Sequence, residues 1–354
     1  MCCDWSLVAR TPLYPVYGDK ARFIDFYGWE MPVWFSSIEK EHMAVRRSAG
    51  VFDISHMKRT YIRGRHAADY LDYLCGARPS ALKIGQLAYT HILNERGGII
   101  DDGIVFRIAE DEFLFVTNAC TAKRVPEWLS AVANRGGFDV EFEDRGVGEA
   151  MIALQGPVSL HVLRDVIALD MSSTRKFECV GFNQLLVSRS GYTGEDGVEI
   201  VGPSQSVAEI FEDLLKKGVM PCGLGSRDTL RLEMGYPLAC VDFNEETNPY
   251  ELNAQRFLDF TKRFIGKDVL ENTKPTRIVR GVITDERVVL RGGYIVEYSA
   301  TAQTKLTSGT LSPVLGKGIG LAFFPLDVEV GSRVSVDVRG VKHQATVVKP
   351  PFIK

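Results

Sequence analysis

Apolar residues recur with helical spacing after Pro203. They are Val207, Ile210, Phe211, Leu214 and Leu215, which fall at i, i+3, i+4, i+7 and i+8. Gly218 follows them as a stop, so the pattern predicts an amphipathic helix packed against a core. Shorter patterns of the same kind predict helices over residues 38–48, 66–75, 122–133 and 157–169.

Runs rich in β-branched and aromatic residues lie between these helices and predict buried strands over residues 113–117, 151–154 and 184–189. Helices and strands therefore alternate up to about residue 270. Beyond the polar residues 271–277 the pattern changes to short β-rich runs between turns that contain Gly or Pro. The runs cover residues 278–283, 294–298, 334–338 and 345–348. We expect two units, residues 1–270 and a β-barrel or sandwich over residues 278–354.

Composition and charge exclude several classes of partner. The 354 residues carry a formal net charge of −3, so no basic field attracts a nucleic acid or an anionic membrane. No stretch approaches the ~18 apolar residues of a membrane span, and Met1 to Arg10 lacks the apolar region of a signal peptide. We expect a cytoplasmic protein.

The cysteines and histidines show no ligand spacing. The seven cysteines are Cys2, Cys3, Cys75, Cys120, Cys179, Cys222 and Cys240. They form no C-x-x-C pair and are odd in number, so we predict reduced thiols rather than a disulfide framework or a zinc site. The six histidines are His42, His56, His66, His91, His161 and His343. They share no metal-ligand spacing either, and no metal is predicted.

Two adjacent carboxylates, Asp101 and Asp102, follow a glycine turn and enter a β-rich run. Side chains alternate along a strand, so one carboxylate must face inward if the other faces water. An inward carboxylate in an apolar run needs a cation or donor, which makes the pair a candidate site. The alternative is that both aspartates cap a turn at the start of the strand.

Two further segments carry candidate binding residues. In residues 190–200 two glycines are placed in a turn. Glu199 can accept hydrogen bonds from the N–H donors at the edge of a planar ring such as a pterin or purine, and Tyr192 can stack on that ring. In residues 221–233 Ser226 is a candidate N-cap of a helix, and Arg227 next to it can serve an anionic ligand or an inward carboxylate. Glu199 as a salt-bridged strand residue and Arg227 as a solvated residue remain open alternatives.

Taken together, segments along nearly the whole chain resemble the T-protein (aminomethyltransferase) family of the glycine cleavage system. They are Thr11-Pro-Leu-Tyr14, Asp25-Phe-Tyr-Gly-Trp-Glu-Met-Pro32, Gly50-Val-Phe-Asp-Ile-Ser-His-Met57, Ile100-Asp-Asp102, Ala153-Leu-Gln-Gly-Pro157, Gly191-Tyr-Thr-Gly-Glu-Asp-Gly197, Gly223-Leu-Gly-Ser-Arg-Asp-Thr-Leu-Arg-Leu-Glu233, Phe264-Ile-Gly-Lys267, Thr307-Ser-Gly-Thr-Leu-Ser-Pro313 and Pro351-Phe352. Each motif is short, and it is their order and spacing that make the resemblance specific.

The resemblance implies an α+β cloverleaf of three domains, with two interleaved α+β subdomains in residues 1–270 and a β-barrel after them. It implies tetrahydrofolate in a central channel, a lipoylated H-protein-like carrier as donor, and release of ammonia. The family's catalytic aspartate falls on Asp102, with Asp101 beside it, and the residue that holds the pterin edge falls on Glu199. The other residues that match ligand-lining positions are Tyr89, Asn118, Tyr192, Met57 and Arg227.

Two segments depart from the family pattern. Residues 248–260 contain no tryptophan, and residues 236–242 read Y-P-L-A-C-V-D. The N-P-Y-E-L stretch at residues 248–252 is similar to that of folate-dependent demethylases of the same fold, which act on O-, S- or N-methyl compounds. A demethylase with a small methylated substrate is therefore one alternative, and a non-catalytic folate-binding protein of iron–sulfur assembly is another.

Overall fold

The computed structural model describes residues 8–146 and 148–354. The helices it contains are α1 (Tyr14–Tyr17), α2 (Ile38–Arg47), α3 (Ala67–Leu74), α4 (Arg124–Gly136), α5 (Ser159–Ile167), α6 (Ser204–Lys216), α7 (Leu224–Glu233) and α8 (Lys267–Glu271). Short 3₁₀ turns cover Gly18–Lys20, Pro79–Ala81, Ala119–Thr121 and Gln255–Phe257. The helix predicted after Pro203 is confirmed as α6, and its residues Val207, Ile210, Phe211 and Leu214 are buried.

The strands are β1 (Arg22–Phe26), β2 (Trp29–Trp34), β3 (Gly50–Asp53), β4 (Lys58–Arg63), β5 (Leu87–Leu93), β6 (Ile99–Arg107), β7 (Glu112–Thr117), β8 (Glu141–Asp144), β9 (Glu149–Gln155), β10 (Cys179–Phe182), β11 (Leu185–Ser188), β12 (Gly197–Pro203), β13 (Met220–Cys222), β14 (Arg277–Thr284), β15 (Ile295–Glu297), β16 (Gln303–Leu311), β17 (Gly318–Pro325), β18 (Arg333–Val338) and β19 (Val341–Val348). Each β-rich run predicted from the sequence coincides with one of these strands, to within one residue at either end where it extends beyond the strand.

Two large sheets and the two-stranded sheet β1-β2 form the part of the chain before residue 270. One contains six strands in the order β10-β11-β12-β9-β3-β13, and the other contains five in the order β5-β6-β7-β4-β8. Helices α5 and α6 cover the outer face of the six-stranded sheet, and α3 and α4 cover that of the five-stranded sheet. The inner faces pack on each other through apolar side chains such as Phe52, Ala153 and Phe106. The sheets therefore stand face to face between two helical layers.

The third unit is a closed barrel of six strands, β14-β17-β16-β15-β18-β19, around a core of its own. It contacts the sheet units through α7, because Ser308 Oγ accepts a hydrogen bond from Arg231 Nη2 at 2.8 Å and Phe352 N donates to Glu233 O at 2.8 Å. The predicted fold class, mixed α/β domains followed by a β-barrel, is confirmed. None of the described helices is long and apolar enough to cross a membrane.

The prediction of reduced thiols is wrong for two cysteines. Cys120 and Cys240 form a disulfide with Cα atoms 6.5 Å apart at a sequence separation of 120. A lone pair this distant in sequence gives no spacing signal, so only the tertiary fold reveals it. The free thiols of Cys75, Cys179 and Cys222 are buried. The predictions for Cys2, Cys3 and most of the first ten residues lie outside the described residues.

Candidate functional site

A carboxylate from each sheet faces the gap between the sheets. On β12 the neighbouring residues Val198 and Ile200 pack against the helical layer, so Glu199 points the other way, into the gap. On β6 Ile104 packs between the sheets, and Asp102, two residues before it, has the same orientation. Strand alternation therefore brings Asp102 and Glu199 to one interior space.

Asp102 is held by donors from neighbouring segments of its sheet. The Tyr89 hydroxyl on β5 donates to Asp102 Oδ2 at 2.7 Å, and the Asn118 amide after β7 donates to Oδ1 at 2.7 Å. The side chain is 9% exposed. A buried carboxylate with a contact on each oxygen has a fixed orientation, which a proton acceptor requires.

Asp101 is buried on the other face of the same strand. Its carboxylate accepts hydrogen bonds from Thr121 Oγ1 at 2.6 Å, from Asn118 N at 3.0 Å and from Asn118 Nδ2 at 2.8 Å. Asn118 therefore contacts both aspartates and joins them into one network. The predicted alternation is present, but neither carboxylate faces water.

The alternative that both aspartates cap a turn is wrong. The turn before β6 is capped instead by Asn94, whose Oδ1 accepts hydrogen bonds from Arg96 N at 2.9 Å and Gly98 N at 3.0 Å. Asp101 and Asp102 lie inside the strand itself. Their side chains are free of any local capping role and serve the interior network.

The surroundings of the acidic pair oppose its ionisation. Burial, followed by the negative charge of Asp101, raises the pKa of Asp102 to about 7. Burial also raises the pKa of Asp101, against the effect of hydrogen bonds from Thr121 and Asn118. A carboxyl that titrates near neutral pH can both take up and release a proton, as a general acid or base does.

Tyr89 connects Asp102 to a buried histidine. Its hydroxyl lies 3.3 Å from His91 Nε2, and burial lowers the pKa of His91 to about 4, so the imidazole is neutral. Burial and the charge of Asp102 raise the pKa of Tyr89, which therefore stays a proton donor. Sequence reasoning named His91 only as one of six histidines without ligand spacing, and nothing in its local sequence marks this contact.

The second group of predicted residues lies on the six-stranded sheet and on α7. Glu199 is 7% exposed and accepts a hydrogen bond from Ser190 Oγ at 2.5 Å. The Tyr192 hydroxyl donates to Pro237 O at 2.5 Å, and the Arg227 guanidinium carbon lies 5.2 Å from the centre of the Tyr192 ring. Arg227 thus stands over an aromatic face. Ser190 is a contact that sequence reasoning missed.

Electrostatic coupling shows that the two groups are close. Burial raises the pKa of Tyr192, and the charge of Asp102 adds to this effect. Burial lowers the pKa of Arg227, and the charge of Glu199 opposes that shift. The structure therefore places Asp102, Tyr192, Arg227 and Glu199 close together. Their proximity could not be seen from the separate sequence segments that contain them.

Two buried nitrogen atoms near Arg227 have no hydrogen-bond partner within the described ranges, namely Arg227 Nη1 and His56 Nδ1. Burial, with the charges of Arg227 and Arg59, lowers the pKa of His56 to about 3, so this ring is neutral. Buried polar atoms are normally paired, and unpaired ones that cluster beside a buried carboxylate are typical of a site that binds a polar ligand. His56 is a second residue that sequence reasoning did not select.

The start of α7 differs from its prediction. The helix begins at Leu224 after Gly223, so Ser226 is inside it and the predicted N-cap is wrong. The N-cap residue is Gly223, and the buried Glu41 lies beside it, where its Oε2 accepts hydrogen bonds from Gly223 N at 2.9 Å and Ser226 Oγ at 3.2 Å. A buried carboxylate at the helix N-terminus offsets the unfavourable position of Arg227.

Met57 differs from the other predicted residues in its surroundings. It is partly buried and packs against the apolar cluster between the sheets, as Ile104 does. The Met57 carbonyl oxygen accepts a hydrogen bond from Arg59 Nη1 at 2.6 Å. Met57 thus forms part of the apolar floor of the gap.

The divergent residues 236–242 form one wall of the site. The Tyr236 ring lies 5.6 Å from that of Tyr192 at an interplanar angle of 28°. Asp242 accepts a hydrogen bond from Arg231 Nη1 at 2.6 Å, so Arg231 is a buried and paired residue. The Cys120–Cys240 disulfide ties this wall to the segment that carries Asn118 and Thr121.

Two cavities open beside the site. A cavity of about 570 Å³ lies between α7 and the barrel and includes Arg231, Leu238 and Ser308 in its lining. A cleft of about 330 Å³ ends at Tyr89 on the opposite sheet. In the described part of the chain, no group of three or more His, Cys, Asp or Glu side chains is placed to hold a metal ion.

Comparison with protein families gives two matches in sequence. Residues 16–262 match the GCVT N-terminal domain, and residues 277–354 match the glycine cleavage T-protein C-terminal barrel domain. The second match starts where the barrel strand β14 begins.

Individual relatives and a solved structure agree with these matches. The chain is 38% identical over 364 residues to an aminomethyltransferase of Geobacillus thermodenitrificans, covering 98% of this chain and 99% of that protein. It is 39% identical over 363 residues to an aminomethyltransferase of a Nostoc species, covering 98% and 96% respectively. The crystal structure of the glycine cleavage system aminomethyltransferase T from Bartonella henselae superposes with a TM-score of 0.92 at 32% identity, and the match covers 98% of each chain.

Proposed function

The chain belongs to the glycine cleavage T-protein family of one-carbon transferases, and we propose that it moves a methylene unit from an aminomethyl group on a lipoylated carrier protein to tetrahydrofolate. Ammonia leaves, the thiol of the carrier is regenerated, and 5,10-methylenetetrahydrofolate forms. One observation carries the proposal: Asp102 and Glu199, from two different sheets, face one interior gap.

The residues around Glu199 fit a pterin ring. The edge of a pterin presents an amino group and a ring N–H, and a carboxylate can accept a hydrogen bond from each. Ser190 occupies Oε2 of Glu199, which leaves acceptor capacity on the carboxylate. Arg227 Nη1 and His56 Nδ1 add unpartnered polar atoms, and Tyr192 and Tyr236 supply aromatic faces for the ring.

Asp102 is assigned to the reacting amine. Tetrahydrofolate, when bound, supplies N5 as the nucleophile. With a pKa of about 7, Asp102 can take up the proton that an amine loses when it bonds to carbon. Its negative charge also stabilises positive charge that develops at the carbon as the C–S bond breaks. Tyr89 and Asn118 hold the carboxylate in place throughout.

Asp101 and the residues around it support this role without touching the gap. Its charge raises the pKa of Asp102, and its hydrogen bonds to Thr121 and Asn118 fix the segment from which Asn118 reaches Asp102. We therefore assign Asp101 a positioning role, and Asp102 the catalytic one.

The structure gives the N-P-Y-E-L stretch a structural explanation. Asn248 Oδ1 accepts hydrogen bonds from Tyr250 N and Glu251 N, and Glu251 pairs with Arg277 on β14 at 2.8 Å. This stretch therefore fastens the sheet units to the barrel. The presence of this stretch thus has a structural explanation that does not depend on the donor. A carboxyl group such as Asp102, with a pKa of about 7, has no evident use in a folate-binding protein without turnover.

The carrier arm is assigned to the larger cavity. That cavity of about 570 Å³ borders the wall formed by residues 236–242. In this wall the Pro237 carbonyl oxygen accepts a hydrogen bond from the Tyr192 hydroxyl. It is open toward Arg287 and Arg291, two exposed cations suited to an acidic carrier surface. A cytoplasmic location for both proteins stays a prediction.

The test supplies purified protein and tetrahydrofolate with one of two kinds of donor. One is an aminomethyl-loaded lipoyl carrier protein, and the other is a panel of methoxy-aromatic, methylsulfonium and N-methyl compounds. The proposal expects ammonia and 5,10-methylenetetrahydrofolate in equal amounts from the first. Formation of 5-methyltetrahydrofolate from the second alone would overturn it in favour of a demethylase.

A further inference from the structure

We propose that the Cys120–Cys240 disulfide is a thiol–disulfide exchange site that a dihydrolipoyl group reduces, and that its reduction weakens tetrahydrofolate binding. The substrate class is a dithiol whose two sulfur atoms can close a ring. This inference rests on the proposed function, because the proposed reaction leaves the lipoyl arm of the carrier protein as such a dithiol.

The two cysteines of the disulfide differ in their access to solvent. Cys240 is exposed, whereas Cys120 is half-buried and packs against an apolar cluster that includes Leu93 and Phe243. An attacking thiolate can therefore reach the sulfur of Cys240, and the sulfur of Cys120 is then the leaving group. The free cysteines Cys75, Cys179 and Cys222 are buried, so none of them competes for the reagent.

Cys240 lies in a tight turn with an unusual backbone conformation. Its φ angle is 62°, in the left-handed region that residues other than glycine seldom adopt. Two hydrogen bonds close the turn, from Cys240 N to Phe243 O at 3.0 Å and from Asp242 N to Leu238 O at 2.8 Å. A strained conformation persists where the surrounding structure holds it, and the bond to Cys120 is one such restraint. Reduction therefore allows the turn to relax.

The turn borders the cavity to which the carrier arm is assigned. Leu238 and Val241 both line this cavity of about 570 Å³, and Val241 is the neighbour of Cys240 in sequence. The Val241 side chain is 42% exposed, so the tip of the turn is open to solvent at the edge of the cavity. A dithiol on an arm that enters the cavity is thus brought to the exposed side of the disulfide.

On one side of the bond is the segment that holds the acidic pair. Cys120 lies between Asn118, whose amide donates to Asp102 Oδ1 at 2.7 Å, and Thr121, whose hydroxyl donates to Asp101 Oδ2 at 2.6 Å. The disulfide therefore starts from a segment that is fixed by the catalytic network.

On the other side of the bond is the wall formed by residues 236–242. The Tyr236 ring lies 5.6 Å from the ring of Tyr192, and the Tyr192 hydroxyl donates to Pro237 O at 2.5 Å. Asp242 stays anchored to Arg231 at 2.6 Å whether or not the disulfide is present. Reduction thus loosens the wall against Tyr192 without detaching it, and a ring-binding face that is in place for only part of the time binds its ligand more weakly.

The exchange balances in atoms and electrons. One thiolate of the dihydrolipoyl group attacks Cys240 Sγ and displaces the thiolate of Cys120, which takes up a proton. The second thiol of the same arm then attacks the lipoyl sulfur of the mixed disulfide, closes the dithiolane ring and releases the thiol of Cys240. Two electrons and two protons pass from the dithiol to the protein. A monothiol needs a second molecule for the last step, so it is less effective.

The experiment treats purified protein anaerobically with dihydrolipoamide, or with 2-mercaptoethanol at the same total thiol concentration. After removal of the reagent, thiols are counted in denaturant, and tetrahydrofolate affinity is measured by calorimetry. The proteins are the wild type, Cys240→Ser and the matched control Arg339→Ser. Arg339 is also an exposed turn residue with left-handed backbone, at φ 56°, and it belongs to the barrel.

We expect dihydrolipoamide to release two thiols per chain in the wild type and in Arg339→Ser, and none in Cys240→Ser. The reduced wild type should bind tetrahydrofolate roughly two- to tenfold more weakly, as follows if the loosened wall is in place for about a tenth to a half of the time. Cys240→Ser should show the weaker binding with and without the dithiol. Circular dichroism should stay unchanged, and reoxidation should restore the affinity of the wild type.

The failures are distinguishable. A wild-type thiol count that dihydrolipoamide does not change would overturn the exchange site, and equal reduction by the monothiol would overturn its assignment to a dithiol. Two new thiols with unchanged or tighter tetrahydrofolate binding would overturn the effect on the site. If the untreated wild type neither binds tetrahydrofolate nor transfers a methylene unit, the proposed function is wrong and the effect on binding falls with it, while the thiol count still decides the exchange.

Discussion

Replacing Asp102 by Asn should raise the free energy of unfolding at pH 8 and lower turnover at the same time. The amide has the shape of the carboxyl group and can keep its network: its oxygen accepts from Asn118 Nδ2, and its NH₂ donates to the Tyr89 oxygen. The Tyr89 hydroxyl then donates to His91 Nε2, 3.3 Å away. The wild-type folded state is destabilised by the burial of an ionised carboxylate that its function requires. The variant has no such charge, so this destabilisation is removed.

The size of the gain follows from the pKa of the carboxyl. A pKa raised from 3.8 to about 7 in the folded state means that stability falls as pH rises through that window, by about 4 kcal/mol in total. The variant gives up two charge-assisted hydrogen bonds for neutral ones, at about 1 kcal/mol each. We therefore expect Asp102→Asn to exceed the wild type by about 1–3 kcal/mol in free energy of unfolding at pH 8, but not at pH 4.

Urea unfolding at pH 4 and pH 8, together with the transfer assay, tests this reasoning. Turnover of Asp102→Asn should fall by roughly 10²–10⁴-fold, the scale of a general base, while folate affinity is kept. Asp101→Asn is the matched control for turnover, with a milder loss, because the Asp101 carboxylate contacts Thr121 and Asn118 and not the gap. The reasoning is refuted if Asp102→Asn is less stable than the wild type at pH 8, and reversed effects on turnover would move the catalytic role to Asp101.

Three further changes have defined outcomes. Glu199→Gln should weaken folate binding by roughly ten- to a hundredfold, measured by calorimetry, because the paired hydrogen bonds of a buried carboxylate are worth about 1.5–3 kcal/mol; unchanged affinity would contradict the assignment. Tyr89→Phe removes a donor that lowers the pKa of Asp102, so the rising limb of the rate against pH should move to higher pH, and an unmoved limb would show that Tyr89 does not act on Asp102. Reduction of the Cys120–Cys240 disulfide should cost about 2–4 kcal/mol in urea unfolding of the wild type but nothing in Cys240→Ser, and equal effects on both would show that the disulfide does not stabilise the fold.

Local patterns in the sequence were enough to predict the separate elements. The periodicity of apolar residues predicted α6, and the change from alternating helices and strands to short β-rich runs predicted the barrel. Both predictions are possible because an element that buries one face has apolar residues at a regular spacing. Strand alternation was also enough to separate Asp101 from Asp102. The contact of Glu41 with the start of α7 could not be predicted, since Glu41 and Gly223 are 182 residues apart in sequence.

The contacts that assemble the site are also non-local, and this is why residues such as His91, Ser190 and Thr121 were missed. Each is a common polar residue whose neighbours in sequence resemble those of any buried strand or turn. The convergence of Asp102 with Glu199 depends on the packing of two sheets, and the Cys120–Cys240 disulfide depends on the approach of two loops. From the sequence, only the resemblance to a known family indicated which distant residues come together in the site.

A crystal structure of the protein with bound tetrahydrofolate tests the central claim most directly. The account predicts one ligand between the two sheets, with the amino edge of the pterin on Glu199 and N5 within hydrogen-bond distance of Asp102. The same structure should show the pterin ring system against the Tyr192 ring. A pterin bound elsewhere, or with N5 turned away from Asp102, would contradict the account.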